Sequence, residues 1–126
     1  MIDHLSVGVS DIQLAEKFYD TVLATIGMKR LAELETIRAY GAEQISFLAM
    51  TPFDQQTATH GNGTHIAFRA EHDAEVDAFH AAALAMGGIC EGKPGERPYP
   101  HAVVYTAYVR DPFGNKLEVI RGGFNT

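Results

Sequence analysis

The sequence predicts an α+β protein built from two strand–helix–three-strand units, and three observations carry that reading. First, residues 3–27 (DHLSVGVSDIQLAEKFYDTVLATIG) and 64–88 (THIAFRAEHDAEVDAFHAAALAMGG) align after a shift of 61 positions. The shift pairs His4 with His65, Leu5 with Ile66, Val7 with Phe68, Phe18 with Phe79, Leu23 with Leu84 and Gly27 with Gly88. A fixed period of this length marks a chain assembled from similar units. Second, each copy passes from alternating apolar residues to an amphipathic helical pattern and then to glycine. Third, each copy is followed by short β-branched and aromatic runs. The repeat either places two equivalent histidines on a shared cavity or is architectural only.

In chain order, Ile2–Val9 alternates, with Leu5, Val7 and Val9 on one face and Ile2, His4, Ser6 and Gly8 on the other, which predicts a strand. Ser10 and Gln13 match a capping box, so a helix is expected to start there. Leu14, Phe18, Val22 and Ile26 recur every four residues, flanked by Ala15, Tyr19 and Leu23, and predict the core face of that helix. Gly27 ends it. Residues 28–34, 36–42 and 45–50 read as a three-strand meander. Residues 52–63 are polar, with Pro52, Gly61 and Gly63, and predict a linker in which His60 is solvated. In the second unit a helix is expected from about Asp73 to Met86. His80 takes the place of Tyr19 and is read as a packed, hydrogen-bonded residue. Residues 89–91 form a short strand, and GKPGERPYPH (92–101) reads as a rigid loop, either a specificity loop or a connector. Residues 103–109 form a strand, Asp111–Asn115 a turn and 116–120 the return strand.

At 126 residues the chain is one domain, or two half-domains sharing a core. Its 46% apolar and 21% charged content fits a globular protein. A net charge of −6 argues against a nucleic-acid or anionic-membrane partner reached through a basic surface. No apolar run approaches the ~18 residues of a membrane span. The N-terminus carries no secretory pattern, so the cytoplasm is the expected location. Cys90 is the single cysteine; it forms no internal disulfide and belongs to no zinc motif, and it is read as a small buried hydrophobe.

Glu118 projects from the last strand between Leu117 and Val119. A carboxylate there is costly to bury without a partner. Together with His4 and His65 it forms a candidate His-His-Glu set. That combination suits Fe, Mn, Zn or Ni and leaves coordination positions open for a substrate oxygen.

The segments DHLSVGVSD, FYDTVLATIG, THIAF and above all YVRDPFGNKLEVI resemble the vicinal oxygen chelate superfamily: glyoxalase I, bleomycin- and fosfomycin-resistance proteins and extradiol dioxygenases. The resemblance spans essentially the whole chain. It implies a glyoxalase-like fold, with two βαβββ modules (1–51 and 64–126, linker 52–63) forming a curved mixed-sheet cup. It also implies His4, His65 and Glu118 as metal ligands, with Glu118 as the base. Glyoxalase I has a further carboxylate on the strand equivalent to 45–50. Phe47 is placed at that position, and Glu43 or Gln44 would supply a ligand only if the register slipped. The segment PYPHAVVYTAYVRDPFG resembles small bacterial glyoxalase/bleomycin-resistance proteins and marks His101 and Tyr105 as pocket residues, with Arg97 and Tyr99 as further substrate-binding candidates. The implied activity is a divalent-metal-dependent reaction on a small oxygenated substrate, by a lyase or isomerase, a thiol transferase or a dioxygenase. The alternatives are metal-free binding, with Phe47, Tyr99 and Tyr105 stacking on a ligand, or a structural relic. The resemblance further implies a homodimer, across which the cup can close.

Overall fold

The first copy of the repeat folds into β1 (Leu5–Gly8) and α1 (Ile12–Ala24), followed by β2 (Lys29–Leu34), β3 (Ile37–Gly41) and β4 (Ile45–Met50). The second copy gives β5 (His65–Ala70) and α2 (Asp73–Ala85), followed by β6 (Ile89–Tyr99), β7 (Ala102–Arg110) and β8 (Lys116–Arg121). This computed structural model describes residues 1–124; positions 125 and 126 of the expected second module lie outside them. The shift of 61 carries α1 onto α2 end for end.

Each half forms its own four-stranded mixed sheet, ordered β1-β4-β3-β2 and β5-β8-β7-β6. In both, the first strand pairs parallel with the last, and the other pairings are antiparallel. The two sheets share no strand pairing among the described residues, so the expected cup is open rather than a continuous sheet. The helices pack against each other and against the sheets, around one core. Phe47 and Phe68 meet edge to face across the halves, with centroids 5.2 Å apart.

Local chemistry moved several expected boundaries. The first strand begins at Leu5, and Ile2 is exposed. Asp11, not Ser10, caps α1: its carboxylate accepts from the backbone N–H of Gln13 (3.1 Å) and Leu14 (3.0 Å). The buried face of α1 is consequently Ala15, Phe18, Tyr19, Val22 and Leu23, with Leu14 at its edge. At α2, Glu75 reaches back to the backbone N–H of Glu71 (2.7 Å).

The largest correction concerns residues 92–101. They are not a loop: β6 runs to Tyr99, pairs with β7, and turns through Pro100 and His101. The prolines are tolerated because β6 is the edge strand. Pro94 falls in a register shift between Gly92 and Gly95, where no ladder donor is needed. Cys90 is exposed at the start of this strand, not buried as expected, and its sulfur lies 3.2 Å from Nε2 of His80. His80 is 9% exposed and hydrogen-bonded, as its place in the repeat predicted. Burial holds its imidazole below the ordinary value, partly offset by the charge of Asp77.

The segment Asp111–Asn115 joins the halves. Asp111, 1% exposed, accepts from the backbone N–H of Phe113 and Asn115 (2.9 Å each), from Asn115 Nδ2 (2.8 Å) and from the Tyr19 hydroxyl of α1 (2.5 Å). Asn115 also donates to the carbonyl of Gly8 in β1 (2.9 Å). Gly114 sits at φ +91°, a conformation that L side chains rarely adopt.

Candidate active site

Strand register shows which residues share the open face of the second sheet, away from the helices. Along β5 and β8, His65 pairs with Lys116, Ala67 with Glu118 and Arg69 with Ile120. Tyr108 of β7 pairs with Glu118 from the other side. Alternation then places His65, Ala67, Arg69, Lys116, Glu118, Thr106 and Tyr108 on one surface.

Glu118 is the centre of this surface. It is 4% exposed, yet its charge has partners. The Thr106 hydroxyl, itself buried, donates to Oε2 (2.7 Å), and His65 Nε2 lies 3.3 Å from Oε1. The His65 ring reaches outward, with its side chain 46% exposed. An imidazole nitrogen and a carboxylate oxygen that meet in this way either share a proton or converge on a cation. Among the described residues no buried side-chain nitrogen or oxygen lacks a partner.

Tyr108 forms the wall beside this pair. Its hydroxyl lies 3.1 Å from that of Tyr99, and its ring centroid 6.4 Å from that of His65. Burial, the bond to Tyr99 and the charge of Glu118 all raise its pKa, so the phenol stays protonated and available as a donor. Arg97 and Lys116 both lie over its ring, at 5.5 and 5.3 Å from the centroid. Gly92 makes this packing possible: a Cβ there would stand 3.0 Å from Arg97 Nη2 and 3.2 Å from the Tyr108 ring.

The other expected residues fall in different places. His4 precedes β1, is exposed, and holds its Nδ1 2.6 Å from Asp3. Among the described residues, no three His, Cys, Asp or Glu side chains gather closely enough to hold an ion, so one chain does not bring His4 to the His65–Glu118 pair. Phe47, placed by the sequence reading on the open face, is 2% exposed and packs on Tyr19 at 5.0 Å. The reason is a one-residue offset. Ser6 pairs with Leu48 as Ala67 pairs with Glu118, and Ser6 and Ala67 are equivalent in the repeat, so Leu48 occupies the position matching Glu118. Glu43 and Gln44 lie in the turn before β4. Tyr105 points to the helix side, where its hydroxyl donates to Asp77 of α2 (2.7 Å). Arg97 is on the open face, but its guanidinium donates to the carbonyls of Thr106 (2.8 Å), Lys93 (3.0 Å) and Gly95 (3.4 Å). It holds the wall in place and has little left for a ligand. Tyr99 and His101 line an apolar hollow of about 270 Å³ with Pro100, Ala102 and Phe124 at the hairpin tip. The sequence reading missed Thr106, Tyr108 and Lys116. The period-two pattern of residues 103–109 was the available signal, since it sets Thr106 and Tyr108 on one face.

A family model described as the Glyoxalase/Bleomycin resistance protein/Dioxygenase superfamily matches residues 1–119. A glyoxalase/bleomycin resistance protein from Albidiferax ferrireducens T118 superposes with a TM-score of 0.91 at 40% identity, over 96% of this chain and 98% of that one. A lactoylglutathione lyase from Agrobacterium tumefaciens gives 0.67 at 25% identity, over 97% and 93%. A glyoxalase-related enzyme from Fulvimarina pelagi gives 0.74 at 16% identity, over 97% and 88%, and shows the fold alone. Comparison with the curated proteins gives no match. No helix among the described residues is long and apolar enough to cross a membrane. The motifs at both ends of the chain, the paired sheets and the matched family model lead to one conclusion: the chain belongs to the Glyoxalase/Bleomycin resistance protein/Dioxygenase superfamily.

Proposed function

We propose that this chain is a cytoplasmic metalloenzyme acting on a small oxygenated molecule, with its reaction centre at His65 and Glu118. The observation that carries this reading is the near-complete burial of Glu118 beside the outward-facing imidazole of His65. The donor set fits a divalent ion of the Fe, Mn, Zn or Ni type, and the Thr106 hydroxyl fixes the carboxylate as an outer-shell partner would. A divalent ion held there would polarise a carbonyl or hydroxyl oxygen. A third ligand would come from His4 of a second copy, in a homodimer that sets the first sheet of one chain against the second sheet of the other. Within the site, Glu118 would accept a substrate proton at Oε1 and return it to the substrate, because Oε2 already accepts from Thr106. The protonated Tyr108 hydroxyl hydrogen-bonds a substrate oxygen.

Similarity to the lactoylglutathione lyase favours a lyase-type reaction. Leu48 at the fourth position leaves the site one carboxylate short of the glyoxalase I pattern, and that favours metal-free binding of a small molecule as the second reading.

Elemental analysis of protein purified without a chelating tag separates the two. The expected result is near one divalent ion per chain, lost in His65→Ala. Mixing unfolded and refolded His4→Ala and Glu118→Ala chains should restore metal to one of the two sites in a mixed dimer. An ion content unchanged in His65→Ala would remove the assignment. No uptake after loading with each of the four metals would leave the binding reading in its place.

A further inference from the structure

The open face of the second sheet carries the wrong sign of charge for this chain. The protein as a whole is −6. On this face, however, Lys116 and Arg69 flank Glu118, two residue pairs to either side along the β5–β8 ladder, and Arg97 stands over Tyr108. Neither Lys116 nor Arg69 has a carboxylate within ion-pair distance among the described residues. The neighbouring Arg110 is neutralised by Glu91 at 2.7 Å, and the Arg97 donors are directed at backbone carbonyls. Lys116 is held over the Tyr108 ring at 5.3 Å. Arg69 is exposed at the far end of β5, with Nη2 3.8 Å from where a Cβ on Gly123 would stand. Residue pairs repeat at ~3.3 Å along a strand, so the Cα positions of Lys116 and Arg69 lie about 6–7 Å from the Glu118 pair along the strand direction. That is the span of a small molecule with one polar end at Glu118 and a charged end beyond it.

We infer that the substrate carries an oxyanion, a carboxylate or a phosphate-type group, received by Lys116 or Arg69 while its reacting oxygens lie at His65 and Glu118. The inference rests on the placement of the reaction centre proposed above. It adds what that placement leaves open, the charge of the substrate. Cations without a carboxylate partner around one acidic side chain, in an otherwise acidic protein, draw small anions to this face. The buried carboxylate of Glu118 is then the element the anion must avoid, which sets the orientation: reacting oxygens over Glu118 only with a proton or an ion between them, charged end on the basic flank.

The test uses metal-free full-length protein and calorimetric titration at low salt with benzoate, its neutral isostere benzamide, and inorganic phosphate. Benzoate or phosphate should bind in preference to benzamide. Lys116→Gln or Arg69→Gln should weaken anion binding roughly fivefold, the size of an exposed ion pair, without changing benzamide. High salt should remove the preference. Phosphate binding alone identifies a phosphate-type group, and benzoate binding alone a carboxylate. Equal binding of benzoate and benzamide, no saturable binding of either anion, or a preference unaltered in both variants overturns the inference. Metal content of the same preparations as purified, before the metal is stripped, keeps the two ideas apart. Metal retained with no anion preference sinks only the anion inference, whereas an anion preference with no metal uptake sinks only the metal reading.

Discussion

The first and second halves of this chain repeat the same topology down to the register of their parallel strand pairs, but they distribute their polar side chains differently. In the first half these lie between helix and sheet edge. Arg30 and Arg38 share Glu16, each at 2.8 Å, with Asp20 and Glu33 completing the network. The face equivalent to the candidate site carries Leu48. In the second half the open face holds Glu118, Thr106, His65, Tyr108 and Lys116, while Leu117 and Val119 face α2. Duplication supplies two equal scaffolds, and only the second places a buried carboxylate at this position of its sheet. The polar groups of the first half pair with one another; under the proposed function those of the second half would position a reacting site at some cost to stability.

The widest effect is expected where the halves meet and are not independent. Asp111→Ala leaves the Tyr19 hydroxyl and Asn115 without their buried acceptor and should lower stability by about 3 kcal/mol or more, read by chemical denaturation. Loss of less than about 1 kcal/mol would mean that the joint is not shared.

Glu118→Leu makes the second half match the first. Thr106 keeps an acceptor, the Val119 carbonyl at 2.8 Å, so no buried hydroxyl is orphaned. Replacing a buried charge by a packed apolar side chain is often neutral or stabilising. The expected outcome is an unchanged or higher melting temperature together with loss of metal. A clear drop in stability would make Glu118 a structural residue and erase the contrast between the halves.

The smallest effect belongs to the Glu16 network, in which buried Arg38 would keep the Leu34 carbonyl as an acceptor at 2.6 Å. Glu16→Gln should cost under about 1 kcal/mol near neutral pH. The hydrogen bond from Arg38, opposed by partial burial and helped by the charges of Arg30 and Arg38, holds the Glu16 carboxyl below its ordinary 4.5. A depressed carboxyl contributes stability that is complete above its unfolded pKa and is lost as pH falls through the folded one. Acid titration of stability should therefore be shallower in Glu16→Gln than in the parent below pH 4.5, and parallel curves would show that the network carries no such linkage.

The sequence made the scaffold legible because periodicity and the repeat report on burial directly: the helices Ile12–Ala24 and Asp73–Ala85 follow from one shift. Metal-type side chains at positions 4, 65 and 118 were equally visible. What escaped depended on register and on neighbours. Phe47 and Leu48 differ by one residue and by an entire face, and only the pairing of Ser6 with Leu48 decides between them. Two prolines and two glycines within residues 92–98 read as a loop because local chemistry cannot reveal that the strand lies at a sheet edge. Tyr105 and Tyr108 look alike in sequence; one is bound to α2 and the other faces the site.

The Asp111–Asn115 turn has a kinetic consequence. Its two links to the first half, Tyr19 to Asp111 and Asn115 to Gly8, join residues 92 and 107 positions apart. Contacts of such separation form only after most of the intervening chain has been ordered, and they slow folding accordingly. Each half therefore lacks a closing element until the other is in place. The two units, though duplicates, should fold and unfold in a single all-or-none transition, in which neither persists alone.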